Sequence, residues 1–301
     1  MLSRRFFLKS LLGSAAALLG TGAYAFGLEP AFRLRVRHYA LVPPAWPADF
    51  KLTIAVLADI HVGEPYMPAS RVEEIVATTN ALGADVIVLL GDYVAGHRFM
   101  TRQVGVAEIA PVLARLQAPL GVFSILGNHD WWDDLKAQRD RKGPIMAARA
   151  LRDVGVPVLE NDVVQLKKGE QPFWLAGLGD QIAFIRGRGD FVGVDDLPGT
   201  LAKVDDAAPV ILLAHEPDIF PAVPDRVALT LSGHTHGGQV RLFGYSPMVP
   251  SKYGNRFAYG HVVEESRHLI VSGGLGTSIL PVRFGVPPEI LFIELGASAS
   301  A

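Results

Sequence analysis

Five short apolar runs in this chain each end in a small polar cluster, and that arrangement narrows the folds open to it. The runs cover residues 52–58, 86–90, 122–126, 210–214 and 228–231. They close on Ala58-Asp59-Ile60-His61, Gly91-Asp92, Gly127-Asn128-His129-Asp130, Ala214-His215-Glu216 and Gly233-His234-Thr235-His236. Between the first two runs, Val72, Ile75, Val76, Thr79 and Leu82 recur at helical spacing, the core stripe of an amphipathic helix. Further helices are expected over about 103–117 and 144–153, and further strands over 173–178, 239–243, 269–272 and 290–295. Strands alternating with helices predict an α/β protein. In open α/β sheets the site lies beyond the carboxyl ends of the strands, so five polar strand ends could meet in space. The glycine before Asp92, Asn128 and His234 permits a sharp turn out of each strand.

Composition narrows the chemistry. The 301-residue chain has no cysteine, which removes disulfides, thiolate metal sites and cysteine nucleophiles. Any metal must be held by His, Asp, Glu, Asn or carbonyl oxygen, and five of the nine histidines fall within the strand-end clusters. Half of the residues are apolar, enough for a sizeable core, and 19% are charged, which argues against disorder.

The chain opens Ser3-Arg4-Arg5-Phe6-Phe7-Leu8-Lys9 and continues as an Ala/Gly/Leu stretch to about Gly27. A cationic start, a mildly apolar segment and the small-x-small site Ala23-Tyr24-Ala25 make a signal-peptide pattern, and the Arg pair in Ser-Arg-Arg-x-Phe-Leu-Lys resembles a twin-arginine signal. Cleavage after Ala25 and retention as an anchor both remain open. Residues 1–25 hold three basic groups and no acidic one, so removing them from a formal charge of −2 leaves −5. Such an acidic body disfavours a nucleic-acid polymer as partner. A phosphate substrate is still compatible if cations supply positive charge locally.

Taken in order, the blocks D-x-H, G-D, G-N-H-D, H and G-H-x-H resemble the calcineurin-like metallophosphoesterases over about residues 51–295. Gly233-His-Thr-His-Gly-Gly-Gln239 and the stretch from Gly274-Leu-Gly-Thr-Ser278 through Pro281-Val-Arg283 to Pro287-Pro-Glu289 are similar to the exported bacterial YaeI/YkuE-type phosphodiesterase branch, which tends to carry a twin-arginine signal. The resemblance implies a four-layer α/β/β/α sandwich, two mixed β-sheets flanked by helices. It implies a phosphoesterase, in this branch a phosphodiesterase, in which a hydroxide bridging two divalent ions attacks phosphorus; manganese, iron, zinc and nickel all suit such ligands. By position, one ion falls to Asp59, His61, Asp92 and His236, the other to Asp92, Asn128, His215 and His234, with Asp92 shared. His129 falls beside the scissile phosphate, to stabilise the transition state or protonate the leaving oxygen.

The pattern departs from the phosphoprotein phosphatases, because Gly91-Asp92-Tyr93-Val94-Ala95-Gly96-His97 lacks their next Asp, the partner of the catalytic His. The partner of His129 is therefore open, Asp130 being adjacent but poorly aimed. A metallo-β-lactamase site is excluded, since Gly238 stands where its motif needs Asp. Trp131 and Trp132 read as rim packing, His97 as a surface residue, and His38, His261 and His268 carry no role. The expected organisation is a signal or anchor over 1–27, a lead-in strand and Pro-rich linker over 28–50, the phosphoesterase domain over 51–296 and a tail over 297–301. In the lead-in, Arg33, Arg35 and Arg37 read as the solvated face of an edge strand. Expected partners are a small-molecule or lipid phosphoester, the twin-arginine export machinery and the membrane surface, with the protein periplasmic or on the outer face of the cytoplasmic membrane. Two alternatives stand: a pyrophosphatase acting on a UDP-linked acylated sugar of lipid A synthesis, and a non-catalytic exported metal-binding protein.

Overall fold

The computed structural model describes residues 4–95, 99–187 and 189–296; His97 and the tail lie outside the described residues. Helix α1 (Arg4–Ala23) runs through a π-helical turn, Tyr24–Leu28, into the short α2 (Glu29–Phe32), and strand β1 (Arg35–Leu41) follows. Next come β2 (Leu52–Leu57), the short β3 (Gly63–Glu64), α3 (Ala69–Ala81), β4 (Val86–Leu89), β5 (Arg102–Gln103), α4 (Val106–Leu113) and β6 (Val122–Ser124). Three helices then follow in succession: α5 (Asn128–Trp132), α6 (Leu135–Asp140) and α7 (Met146–Asp153). The second half holds β7 (Asp162–Lys168), β8 (Gln171–Gly177), β9 (Phe184–Gly187), β10 (Asp190–Val192), α8 (Leu197–Leu201), β11 (Val210–Leu213) and β12 (Val227–Ser232). It ends with β13 (Gly260–Glu264), β14 (Arg267–Val271) and β15 (Glu289–Leu295).

Two mixed sheets carry the fold, in the orders β1-β15-β2-β4-β6 and β13-β14-β12-β11-β8-β7. Period-two alternation explains how each sheet serves two cores. Ile54 and Val56 of β2, with Val86 and Val88 of β4, face Phe173, Leu175, Ile211, Leu213 and Leu229 of the other sheet. Ala55, Leu57, Ile87 and Leu89 point the opposite way, onto the apolar stripes of α3 and α4 that carry Val72, Ile75, Ile109 and Leu113. The outer face of the second sheet, with Val210, Leu212 and Leu269, is covered by α8 and by 3₁₀ turns bearing Phe220 and Phe257. This is the expected α/β/β/α order with a thin fourth layer.

The lead-in packs against both sheets. β1 pairs in parallel with β15 along its whole length, and Trp46 and Phe50 are buried between the sheets, stacked at 4.7 Å. Arg37 is not simply solvated, because it donates to the Tyr259 hydroxyl at 2.7 Å and lies over that ring. Residues 239–243, read as a strand, form a loop. Gly237, Gly238 and Gln239 all take positive φ, so the chain turns away from the sheet and keeps only single bridges from Val240 to Phe284 and from Leu242 to Tyr245. The edge strands β7 and β13 were missed because half-exposed edges carry polar residues that blur the apolar alternation.

The packing at Phe173 gives a direct test. Its ring is buried edge-on to Trp46 and Phe50 at 5.9 Å each. Phe173→Ala should cost about 3–5 kcal/mol of unfolding free energy, measured by denaturant titration, whereas Phe173→Leu should cost about half or less.

Candidate metal centre

Six loops converge at the carboxyl ends of β2, β4, β6, β11, β12 and β14, where the two sheets meet. Backbone hydrogen bonds lash these loops together. Asp59 N donates to Gly91 O at 3.1 Å, His61 N to Asp92 O at 3.0 Å, Gly233 N to His215 O at 3.0 Å and Gly276 N to Asp59 O at 2.7 Å. Asp59, His61, Asp92, His234 and His236 all adopt positive φ, between 45° and 66°. Non-glycine residues seldom occupy that region, and a cluster of them marks backbone held against its preference by its surroundings.

The expected site residues come together. Two groups of ligand atoms, Asp59 with His61 and His236, and Asp92 with His215 and His234, each lie within 4.8 Å of one another. His61 Nε2 and His236 Nε2 are 3.0 Å apart, and His236 Nε2 is 3.7 Å from Asp59 Oδ1. In the second group, His234 Nδ1 lies 2.8 Å from Asn128 Oδ1. Asp92 faces both groups, its Oδ2 being 3.4 Å from His61 Nε2 and 3.2 Å from His215 Nε2.

These spacings suit cations. Metal bonds of about 2.0–2.2 Å hold adjacent ligand atoms roughly 3–3.5 Å apart. The protein also leaves donor atoms free for such a bond. Asp59 Oδ2 is buried with no hydrogen-bond partner among the described residues, and His215 Nε2 approaches Asp92 without hydrogen-bond alignment. The other ring nitrogens are already engaged: His61 Nδ1 with Val94 O at 2.8 Å and His215 Nδ1 with Leu90 O at 2.6 Å. Such contacts fix ring orientation and tautomer in metal sites.

Burial dominates the electrostatics. It holds His61 down to about 3 and His236 well below the ordinary value, the latter helped by His61 and Arg283, so both present neutral imidazoles. Burial, together with Asp92, pushes Asp59 up to about 7. For His215 burial acts downward but the Asp92 carboxylate outweighs it, and the ring is raised well above its usual value. Carboxylates and imidazoles packed this closely form a site that calls for positive charge.

Several participants were not anticipated from sequence. Asp130 does not orient His129. Its carboxylate instead accepts from the backbone N–H groups of Asp92, Tyr93 and Gly127 at 2.9–3.0 Å, fixing the two loops that carry Asp92 and Asn128. The partners of His129 are Asp133, with Oδ2 3.8 Å from Nδ1, and Ser278, with Oγ 3.3 Å from Nε2. Asp133 sits one helical turn beyond His129, the one sequence signal that could have found it. Arg283 is wholly buried, with Nη2 3.2 Å from His236 Nδ1 and Nε donating to Gly276 O at 2.9 Å. Of the two tryptophans, Trp131 packs in the core against Phe184, while Trp132 stacks on Phe191 at 5.1 Å and stands 5.3 Å from His129. His261 and His268 pair with each other at 3.0 Å on the β13–β14 hairpin.

The chain matches the family described as Calcineurin-like phosphoesterase over residues 52–238. It belongs to that family. It is 32% identical over 304 residues to the uncharacterized metallophosphoesterase YkuE of Bacillus subtilis, covering 98% of each chain. It is 29% identical over 300 residues to the phosphodiesterase YaeI of Escherichia coli, covering 98% of this chain and 100% of that one. A transmembrane protein with metallophosphoesterase domain from Danio rerio is 29% identical over 253 residues, which is 81% of this chain and 53% of the relative. Family and ligand groups together make this calcineurin-like protein a hydrolase of phosphoesters that works with two divalent metal ions.

The glycine before Asn128 serves close approach rather than an unusual dihedral. Gly127 has φ −115°, and a Cβ there would stand 2.6 Å from His215 Cε1 and press on the Asp92 carboxylate. Gly127→Ala should lower metal content from two ions per chain toward one in elemental analysis, with the far-ultraviolet dichroism unchanged. Gly105→Ala, where a Cβ meets nothing within 4 Å, should keep both ions.

Proposed function

We propose that this calcineurin-like enzyme is an exported phosphodiesterase whose two ions are held by the residues at the strand ends. Asp59, His61, Asp92 and His236 would hold one ion, and Asp92, Asn128, His215 and His234 the other. The observation that carries this reading is the position of Asp92, within 3.4 Å of a nitrogen from each group. Bound there, the ions would supply Lewis acidity to the phosphoryl oxygens and acidify a water molecule.

The chain's own residues do the remaining work. The backbone N–H of His129 donates to Asp92 Oδ1 at 2.8 Å, so the loop bearing the acid is tied to the shared ligand. Burial alone would lower the His129 ring, but Asp92 and Asp133 outweigh it and raise it. That direction favours the protonated ring, the form a general acid needs. With Asp133 at Nδ1, Nε2 is left to hand a proton to the departing alcohol. Ser278 orients that edge of the ring. The likeness to the phosphodiesterase YaeI supports a diester over a monoester. The complete set of ligand positions speaks against a non-catalytic protein, and an exterior location against a UDP-linked substrate made inside the cell.

Export by the twin-arginine route rests on Ser3-Arg4-Arg5-x-Phe-Leu-Lys, and the apolar helix behind it is long enough to span a bilayer. Retention of that helix as an anchor is supported by Ala25, read from sequence as a cleavage position. Ala25 is buried, and its carbonyl accepts from Arg283 N at 2.9 Å.

Two experiments test these readings. His129→Gln should retain two ions yet lower kcat for alkyl-leaving-group phosphodiesters about 10²–10⁴-fold, with a smaller loss for nitrophenyl diesters whose leaving group needs no proton. Equal losses on both would remove the acid role, and full activity with full metal content in Asp92→Ala would remove the site. Replacing Arg4 and Arg5 together by Lys should leave the protein in the cytoplasm on cell fractionation, while the wild-type protein in the membrane fraction should keep its intact N-terminus by mass spectrometry.

A further inference from the structure

Two loops stand at the rim of the metal centre, and their apolar tips have no part in the phosphodiesterase chemistry. Residues 239–248 follow the Gly-His-Thr-His block, and residues 278–284 include Ser278, the partner of His129. They are joined to each other: Ser278 N donates to Gln239 Oε1 at 2.7 Å, Arg241 N to Phe284 O and Phe284 N to Gln239 O, both at 2.8 Å. Their tips present Leu242, Phe243, Tyr245, Met248, Ile279 and Leu280, all exposed. Single exposed apolar residues are ordinary, but a contiguous group of large ones marks an interaction surface.

The tip of the first loop breaks local rules. Leu242 and Tyr245 exchange backbone hydrogen bonds at 2.8 and 2.9 Å around Phe243-Gly244, a two-residue turn with φ of 50° and 83°. Such turns favour Asn-Gly, because both central residues need positive φ. Here a phenylalanine takes the strained position and is fully exposed. A bulky apolar side chain that gains neither backbone comfort nor burial within the protein is placed for something outside it.

The second of these loops touches the segment that ends the N-terminal helix. Arg283 N donates to Ala25 O, and Tyr24 meets Phe284 edge to face at 5.9 Å. Helix α1 has 20 residues, about the 30 Å of a bilayer's hydrocarbon core. Exposed Arg33 and Arg35 follow where the chain leaves that helix, a basic flank suited to lipid headgroups. The apolar tips are thus continuous with a segment long and apolar enough to cross the membrane, and this continuity identifies their occupant as the bilayer surface.

We propose that residues 242–248 and 279–280 dip into the membrane interface beside the anchor and hold the mouth of the metal centre against the bilayer, so that the substrate is a phosphodiester of a membrane lipid. This rests on the phosphodiesterase reading and on retention of the anchor. The reaction is a hydrolysis: the oxygen of water adds to phosphorus, one P–O ester bond breaks, and the proton goes to the departing alcohol. Reach is set by the seating, since a lipid headgroup phosphate lies at the depth where the rim rests.

The absence of cysteine makes a site-directed test clean. Full-length Phe243→Cys, labelled with an environment-sensitive fluorophore and reconstituted into vesicles of phosphatidylethanolamine and phosphatidylglycerol, should show blue-shifted emission quenched by spin-labelled lipid. The same label at Glu170→Cys, in the exposed turn between β7 and β8, should not. The double variant Leu242→Ser/Phe243→Ser should hydrolyse bis(p-nitrophenyl) phosphate within about twofold of wild type and vesicle phospholipid at least about tenfold more slowly. A water-exposed label at 243, or equal lipid hydrolysis by variant and wild type, would overturn the seating. Hydrolysis of the soluble diester without any lipid hydrolysis by wild type would overturn the substrate class. If wild type hydrolyses neither, the phosphodiesterase reading fails, and the label still decides the seating.

Discussion

The structure depends on a crowd of electron-pair donors brought together at the ends of two sheets. Two carboxylates, four imidazoles and a carboxamide meet there almost without solvent, their donor atoms commonly about 3–3.5 Å apart, the separation that bonds to a shared cation impose. Nothing in ordinary packing favours such a cluster, since buried polar groups need partners and buried like charges repel. The backbone carries part of the cost, with five of these residues in the left-handed region. The surrounding fold offsets it by lashing six loops to one another through main-chain hydrogen bonds and through the three N–H groups that Asp130 holds. Both sheets must be correctly formed before these loops can meet. In this chain, assembly of the site is therefore a consequence of the long-range sheet pairing rather than of any local motif.

That dependence explains what could be read from the residues alone. The strands β2, β4, β6, β11 and β12 announced themselves because buried parallel strands are continuous apolar runs, and each ended in a polar block whose residue types already suited a metal. The groups that hold those blocks in place were hidden. Arg283 lies 47 residues from His236 and Ser278 lies 149 from His129, separations that no periodicity reveals. Asp130 was visible but its role was not: poorly aimed at His129 by adjacency, it is an acceptor for backbone donors from two loops. Residues 239–243 failed for a different reason. Alternating apolar residues read as a strand, but three successive positive φ values at 237–239 had already turned the chain out of the sheet.

Arg283 connects parts of the molecule that sequence distance keeps apart. Its guanidinium meets His236 and the carbonyl of Gly276, its backbone N–H meets Ala25, and burial lowers it to about 10, still charged at neutral pH. A fully buried cation needs anionic or carbonyl partners to be tolerated, and this one finds them in the loop that closes over Asp59 and in Val286. The same residue thus supports a ligand of the proposed centre and receives the end of the N-terminal helix. If that helix anchors the chain as proposed, the distance between bilayer and active site is set by the fold rather than by a flexible tether.

A rigid connection of this kind changes what the exposed residues near it mean. On a freely tethered domain, Phe243 and its neighbours would be an aggregation liability, because nothing would limit which surface they met. Fixed beside an anchored helix, as proposed, they face one environment only. The strained Phe-Gly turn then follows the same logic as the strained ligands: in both places the backbone is held in an unfavourable conformation so that a side chain points where the protein itself gives it no partner. At the strand ends the missing partner is a cation, and at the loop tip, on the seating proposed above, it is the lipid interface.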